Sequence, residues 1–338
     1  MTITSSIHPD ARVLAPAAPA RGGSAALALP ALLILAGAAA TFLFSGYQLL
    51  LAANIVAYAI AILGLNLLAG YNGQISLGHG AFLAIGGYAT AILMSRFGVP
   101  YWLAVPLCGL VTMVVGFLVA IPALRLEMLY LALATFALAV AVPQLAKNKL
   151  VSGWTGGVDG LSLPRIRPWS ALGLDVDQTV YVYTLLVAIV AFALVVNLLR
   201  GRVGRALEAI RDHPVAAETM AIDVRFFKTA AFGVSAFLTG TAGGLGAIAT
   251  AFVSPDSYAF FLSITLMVGA VVGGFRSVYG ALFGGAFIVL MPNYAERLSQ
   301  GAPWAIYGAC TILVMLVMPS GLAGLVRAAI DRWRTRAR

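Results

Sequence analysis

Apolar runs of close to 20 residues, nearly free of Asp, Glu, Lys and Arg, follow one another from residue 27 to residue 322. A helix needs about 20 apolar residues to cross the ~30 Å hydrocarbon core of a bilayer. In lipid each backbone polar group must be satisfied inside the spanning element, so such runs fold as helices. They lie at 27–46, 49–69, 79–95, 102–121, 128–146, 179–199, 229–252, 260–275, 278–291 and 303–322. The expectation is an all-α polytopic membrane protein with about ten transmembrane helices. The run at 278–291 is short and glycine-rich and reads as tilted, broken or re-entrant. The first run follows a polar arm, and AGAAA at 36–40 resembles a signal-cleavage region, but the run is longer than a signal-peptide core and reads as a retained helix. Composition agrees: the chain is 61% hydrophobic and 10% charged, against ~45–50% and ~25% for soluble domains.

The net charge of +9 does not point to nucleic acid. Lys147, Lys149 and Lys228 are the only lysines, and no segment interleaves basic and aromatic residues on a polar surface. The positions of the arginines are more informative. With both termini cytoplasmic, the inner segments carry Arg12, Arg21, Arg125, Arg200, Arg202, Arg205, Arg211, Arg225, Lys228, Arg276, Arg327 and the arginines of the RWRTRAR tail. The outer segments carry only Arg96, Lys147, Lys149, Arg165, Arg167 and Arg297. That asymmetry follows the positive-inside rule. The division is therefore a cytoplasmic polar arm at 1–26, a membrane domain at 27–322 and a basic cytoplasmic tail at 323–338, the last lying against anionic membrane lipid. Within the membrane domain, 147–178 is a periplasmic loop and 200–228 a cytoplasmic segment.

The middle of each span carries no formal charge. Intramembrane charges are costly and usually functional, so their absence weighs against a proton-driven carrier. A sodium-coupled secondary transporter, which can use backbone carbonyls, stays open. None of the three lysines follows a glycine, so there is no P-loop and no ATP site of that kind. His8, His79 and His213 stand apart, with no nucleophile–base grouping. Cys108 and Cys310 sit in apolar runs as small hydrophobic residues, and no metal-ligand spacing occurs.

Three segments break the apolar pattern. In GYNGQISLGHGAFLAIGGY, 70–88, glycines recur beside Asn72, Gln74, Ser76 and His79. It reads either as a glycine-rich turn with tight helix packing or as a break lining a translocation path, with Asn72, Gly73, Gln74, Ser76, Gly78 and His79 as its candidates. His79 taken alone reads as a hydrogen-bonded structural residue. SGWTGGVDGLSLP, 152–164, is turn chemistry throughout. It is either a structured surface loop or a docking surface for an external partner, with Trp154, Thr155, Gly156, Gly157 and Asp159 as candidates and Trp169 as a second aromatic anchor.

The third segment, GRALEAIRDHPVAAETMAIDV at 204–224, is dense in charge. Arg202 to Arg211 reads as a short helix with Leu207 and Ile210 three apart. Pro214 ends it and suits the first position of a second helix reaching Ile222, with Asp212 or His213 near the cap. The pair is a solvated amphipathic loop or a rigid foot for a partner's groove.

GQISLGHGAF at 73–82, TGGVDGL at 155–161, GRALEAIRDHPVAAETMAIDV at 204–224 and GAVVGGFRSVYGALFGGAF at 269–287 together resemble the permease subunits of branched-chain amino acid ABC importers of the LivM type. The resemblance covers roughly residues 50–322, and its segments occur in the family's order. It implies the type II importer architecture in a bacterial inner membrane. It implies a second permease of the LivH type, two cytoplasmic ATP-binding subunits and a periplasmic substrate-binding protein. ATP would be bound by the partners; this chain would be a non-catalytic transport subunit with no cofactor of its own. Branched-chain or other hydrophobic amino acids are the implied substrates, and urea or short amides the alternative. The coupling helix carries over to Gly204–Asp223, including Arg205, Leu207, Asp212, Pro214 and Glu218 around a core of Glu208, Ala209, Ile210 and Arg211. One departure is Arg276, where the family tends to carry glycine.

Overall fold

The computed structural model describes residues 25–123, 128–169, 173–298, 302–318 and 321–325. The expectations for the arm before residue 25, for Arg125 and for the tail beyond residue 325 lie outside the described residues. The chain is helical nearly throughout: α1 (Ala25–Leu43), α2 (Gly46–Leu65), α3 (His79–Arg96), α4 (Tyr101–Ala123), α5 (Met128–Ala146), the single turn α6 (Ser152–Thr155), α7 (Val176–Arg200), α8 (Arg202–Asp212), α9 (Pro214–Thr219), α10 (Val224–Thr250), α11 (Phe261–Gly273), α12 (Gly280–Leu298) and α13 (Pro303–Val317). A two-residue antiparallel pair joins β1 (Leu161–Ser162) to β2 (Phe252–Val253).

Every apolar run carries a helix, as a polytopic membrane protein requires. Five segments among the described residues are long and apolar enough to cross a membrane: Gly46–Tyr71, Tyr101–Pro122, Val176–Arg200, Val224–Thr250 and Ala305–Leu325. Others are shorter. The 13 residues of α11 rise about 20 Å, less than the hydrocarbon thickness. The glycine-rich run near 280 forms one unbroken helix of 19 residues, α12, with Pro292 inside it.

The helices pack through small residues. α10 lies at the centre against α2, α3 and α4. In lipid there is no hydrophobic drive between helices, so close backbone approach supplies the packing. A Cβ on Gly86 of α3 would lie 2.0 Å from the Gly240 carbonyl oxygen of α10. A Cβ on Gly243 would lie 2.1 Å from the Leu83 carbonyl oxygen. Large apolar side chains point outward instead, among them Leu118, Val190 and Leu316.

Hydrogen bonds sort the connecting segments to two ends. At one end the Tyr71 hydroxyl donates to the Arg276 carbonyl at 2.9 Å, and the Arg211 guanidinium donates to the Gly70 carbonyl at 3.0 Å. At the other end Arg96 donates to the Gly153 carbonyl, Lys147 pairs with Asp256 at 2.6 Å, and β1 pairs with β2. The charge pattern puts the same segments together on each side.

Candidate functional site

The first end is built around an interruption of α2. The helix widens into a π-helical turn over Asn66–Tyr71 and stops at Asn72. Residues 72–78 run without regular structure until α3 begins at His79. Such π turns recur at functional sites because the widened turn leaves carbonyls short of donors. Gly73 has φ +74°, a left-handed conformation open to glycine without strain. Farther along, the Leu77 amide donates to the Thr135 hydroxyl of α5 at 3.0 Å, and the Gly80 amide donates to the Ser263 hydroxyl of α11 at 2.9 Å.

His79 is buried, and its Nε2 lies 2.8 Å from the Ser235 hydroxyl of α10. Ser235 spends its own proton on the Gly64 carbonyl at 2.7 Å. The serine oxygen therefore accepts, and the protonated ring nitrogen is Nε2. This ties α3 to α10 and α2, in keeping with a structural histidine. Its Nδ1 stays buried without a partner. So do Asn66 Oδ1, both amide atoms of Asn72 and Gln74 Oε1. Ser76 is buried and caps the turn by accepting from the Gly78 amide. Each unpaired buried polar group costs about 1–3 kcal/mol, so the 66–79 segment is poorly satisfied in this arrangement.

Across from the interruption lies the charged segment. α8 and α9 meet at His213, which caps α9 without a side-chain bond. Asp212 is held instead by Arg211, at 2.9 and 2.7 Å. α9 is shorter than its sequence indicates: it ends at Thr219, and the left-handed Ala221 (φ +60°) turns the chain into α10. Asp223 caps α10 by accepting from the Phe226 amide at 3.0 Å.

α8 is amphipathic. Gly204, Ala206, Leu207 and Ile210 are buried, and Arg205 is exposed. Leu207 enters a cluster with Leu67 and Leu68 of the α2 end and with Phe82 and Phe232, while Ile210 packs with Ala217 and Val224. Gly204 has no room for a Cβ, which would lie 2.0 Å from the Leu199 carbonyl oxygen. Glu208 and Ala209 are half-buried, and Pro214 and Glu218 are exposed.

Arg211 connects the two candidate groups. Its guanidinium bonds the Gly70 carbonyl, and its aliphatic stem covers Gly73, where a Cβ would lie 2.8 Å from Arg211 Cγ. Arg276 is exposed, and its carbonyl takes the Tyr71 hydroxyl, so this residue stands beside the same interruption. Sequence reasoning missed three residues here. Val215, Met220 and Phe226 are 76%, 78% and 64% exposed on a charged surface. Exposed apolar groups ringed by charge mark an interaction face. The available signal was that Val215 stands two residues from the buried Ala217, on the opposite side of α9, with Met220 just past the helix end.

The candidate docking residues are at the other end. Trp154 is exposed and stacks on Phe97 with centroids 6.3 Å apart. Thr155 donates to the Ala146 carbonyl at 2.7 Å. Gly156 and Gly157 adopt φ +76° and +60°, and Asp159 is exposed. Trp169 is half-buried, with its amide on the Thr179 hydroxyl.

The family model described as the branched-chain amino acid transport system permease component matches residues 47–319. The high-affinity branched-chain amino acid transport system permease protein LivM of Escherichia coli (strain K12) is 31% identical over 322 residues, covering 89% of this chain and 75% of the relative. The protein of the same description from Salmonella typhimurium (strain LT2) shows the same identity and coverage. A probable branched-chain amino acid transport permease protein LivH of Methanocaldococcus jannaschii is 26% identical over 262 residues, covering 73% of this chain and 82% of the relative. No solved structure matches. The helical bundle with its interrupted second helix, the four sequence segments and the family match over most of its length agree: the chain belongs to the permease-component family of branched-chain amino acid transport systems.

Proposed function

We propose that this chain is the membrane-spanning subunit of an ATP-driven importer that carries branched-chain or other hydrophobic amino acids across a bacterial inner membrane. It pairs with a LivH-type permease, takes substrate from a periplasmic binding protein and is driven by two cytoplasmic ATP-binding subunits. The observation that carries this reading is the Arg211–Gly70 hydrogen bond. It joins α8, the expected foot, directly to the end of an interrupted membrane helix.

In this mechanism the ATP-binding subunits close on ATP and move α8 and α9. Leu207, buried among the helix ends, carries the push as packing. Arg211 carries it as a directional bond to the π-helical turn. The 72–78 segment then shifts, and its unpaired Asn72 and Gln74 groups find water or new partners in the path. The chain contributes lever and path and no covalent chemistry.

The test is co-purification with the ATP-binding subunits, followed by the Glu208→Ala, Arg211→Ala double variant. We expect the assembly to persist while substrate-dependent ATP hydrolysis and transport collapse. A chain that never recovers an ATP-binding subunit, or a double variant with normal coupled hydrolysis, would overturn the reading.

A further inference from the structure

A cavity of about 300 Å³ lies inside this chain, between α2, α3, α10 and the 252–262 segment, well away from the Arg211 contact. Its lining is sorted by depth. α2 and α10 run antiparallel, because Gly64 late in α2 meets Ser235 early in α10. Asn54, Thr250 and Ser257 therefore stand at the mouth, on the end that carries Lys147 and Trp154. Leu83, Ala242 and Leu262 form the floor. Between them are Tyr58 and Tyr258.

The phenol groups are notable for what they lack. Tyr88 packs its ring 6.3 Å from that of Tyr258, and its hydroxyl is buried without a hydrogen-bond partner. The hydroxyls of Tyr58 and Tyr258 likewise have no partner among the described residues. Asn54 spends its amide hydrogen on the Leu50 carbonyl, leaving its oxygen to accept. Buried polar groups are normally paired, so the unpaired Tyr88 hydroxyl behind the Tyr258 ring, with two further phenols lining the cavity, points to a polar occupant.

We propose that this cavity is a subsite for one aliphatic amino acid, held within the single chain rather than between two permeases. The proposal deepens the importer reading and rests on it for the substrate class. The volume lies at the low end of the ~300–1,000 Å³ typical of small-molecule sites, which admits one small solute. The lining carries no formal charge. A singly charged solute would sit there uncompensated, whereas a zwitterion brings its own counter-charge and asks only for hydrogen bonds. The phenols of Tyr58 and Tyr258 supply donors for the carboxylate, Asn54 and the hydroxyls of Thr250 and Ser257 supply acceptors for the ammonium, and the apolar floor receives the side chain.

Gly246 provides the test, because it lines the cavity and a Cβ there meets nothing within 4 Å. Gly246→Leu adds an aliphatic side chain to the cavity wall from a position where its Cβ has room. Gly308→Leu, at an equally open position on α13, is the control. Full-length chain in lipid nanodiscs is titrated with radiolabelled L-leucine, without ATP or binding protein. We expect saturable binding, competed by isoleucine and valine but not by urea. We expect Gly246→Leu to weaken it by at least about tenfold with an unchanged melting profile, and Gly308→Leu to leave it intact. Absence of saturable binding to the wild type, equal binding by Gly246→Leu, or equal competition by urea overturns the assignment. The failures separate: no leucine binding alongside recovery of ATP-binding subunits removes the subsite and leaves the importer, whereas leucine binding without those subunits does the reverse.

Discussion

Replacing Arg211 by alanine removes one guanidinium from a place where it does three things. It takes away the donor to the Gly70 carbonyl, the partner of Asp212 and the cover over Gly73. The Asp212 pair matters least, because that carboxylate is 60% exposed, and exposed pairs contribute only ~0–1 kcal/mol. The Gly70 contact matters most. It is a charge-assisted bond, of a kind worth about 1.5–3 kcal/mol, and it satisfies a carbonyl in the last turn of a helix, where no intrahelical donor is available. Loss of about 2–3 kcal/mol from the local stability of the π turn follows. In the fast-reclosing regime, amide exchange reports that opening energy directly. At about 1.4 kcal/mol per factor of ten, exchange across residues 66–74 should accelerate by roughly 30- to 150-fold. The Gln74 amide, bonded to the Leu68 carbonyl at 3.1 Å, is the clearest reporter. Arg211→Lys should restore only part of the protection, since an ammonium does not reproduce the guanidinium fork that serves Gly70 and Asp212 together. Hydrogen–deuterium exchange read by mass spectrometry on the full-length chain makes the measurement. If Arg211→Ala leaves exchange at 66–74 unchanged, the bond is not what ties the foot to the interrupted helix, and the coupling route drawn through it is wrong.

Two further expectations concern packing and docking. Gly86→Ala should lower the melting temperature and yield of the detergent-solubilised chain, because its methyl would meet the Gly240 backbone rather than a movable side chain; Gly153→Ala, which meets nothing, should be neutral by the same thermal assay. Val215→Ser with Met220→Ser should leave the melting profile unchanged, since both residues are exposed, while reducing recovery of the ATP-binding subunits in co-purification.

Local pattern accounts for much of this. The apolar runs were legible because hydrocarbon thickness imposes a length on each helix separately. The split of the charged segment was legible because Pro214 acts on its own neighbours. Even there, α9 ended short of Ile222, since the left-handed Ala221 is set by the entry into α10. The polar residues of 72–79 were legible as an interruption, but the π turn over Asn66–Tyr71 before them and the unpaired side chains of Asn72 and Gln74 were not.

What the amino-acid sequence determined by itself is where helices form and where charge interrupts them; the length of each helix, such as the 13 residues of α11, was not determined that way. The tertiary structure decided which groups meet. Arg211 and Gly70 are 141 residues apart, and His79 and Ser235 are 156 apart. No periodicity links such positions; only antiparallel packing around α10 brings them within bonding distance. The same packing leaves the Tyr88 hydroxyl buried and unpaired beside Tyr258 of the cavity wall, because an unsatisfied group is defined by every neighbour it lacks rather than by its place in a run.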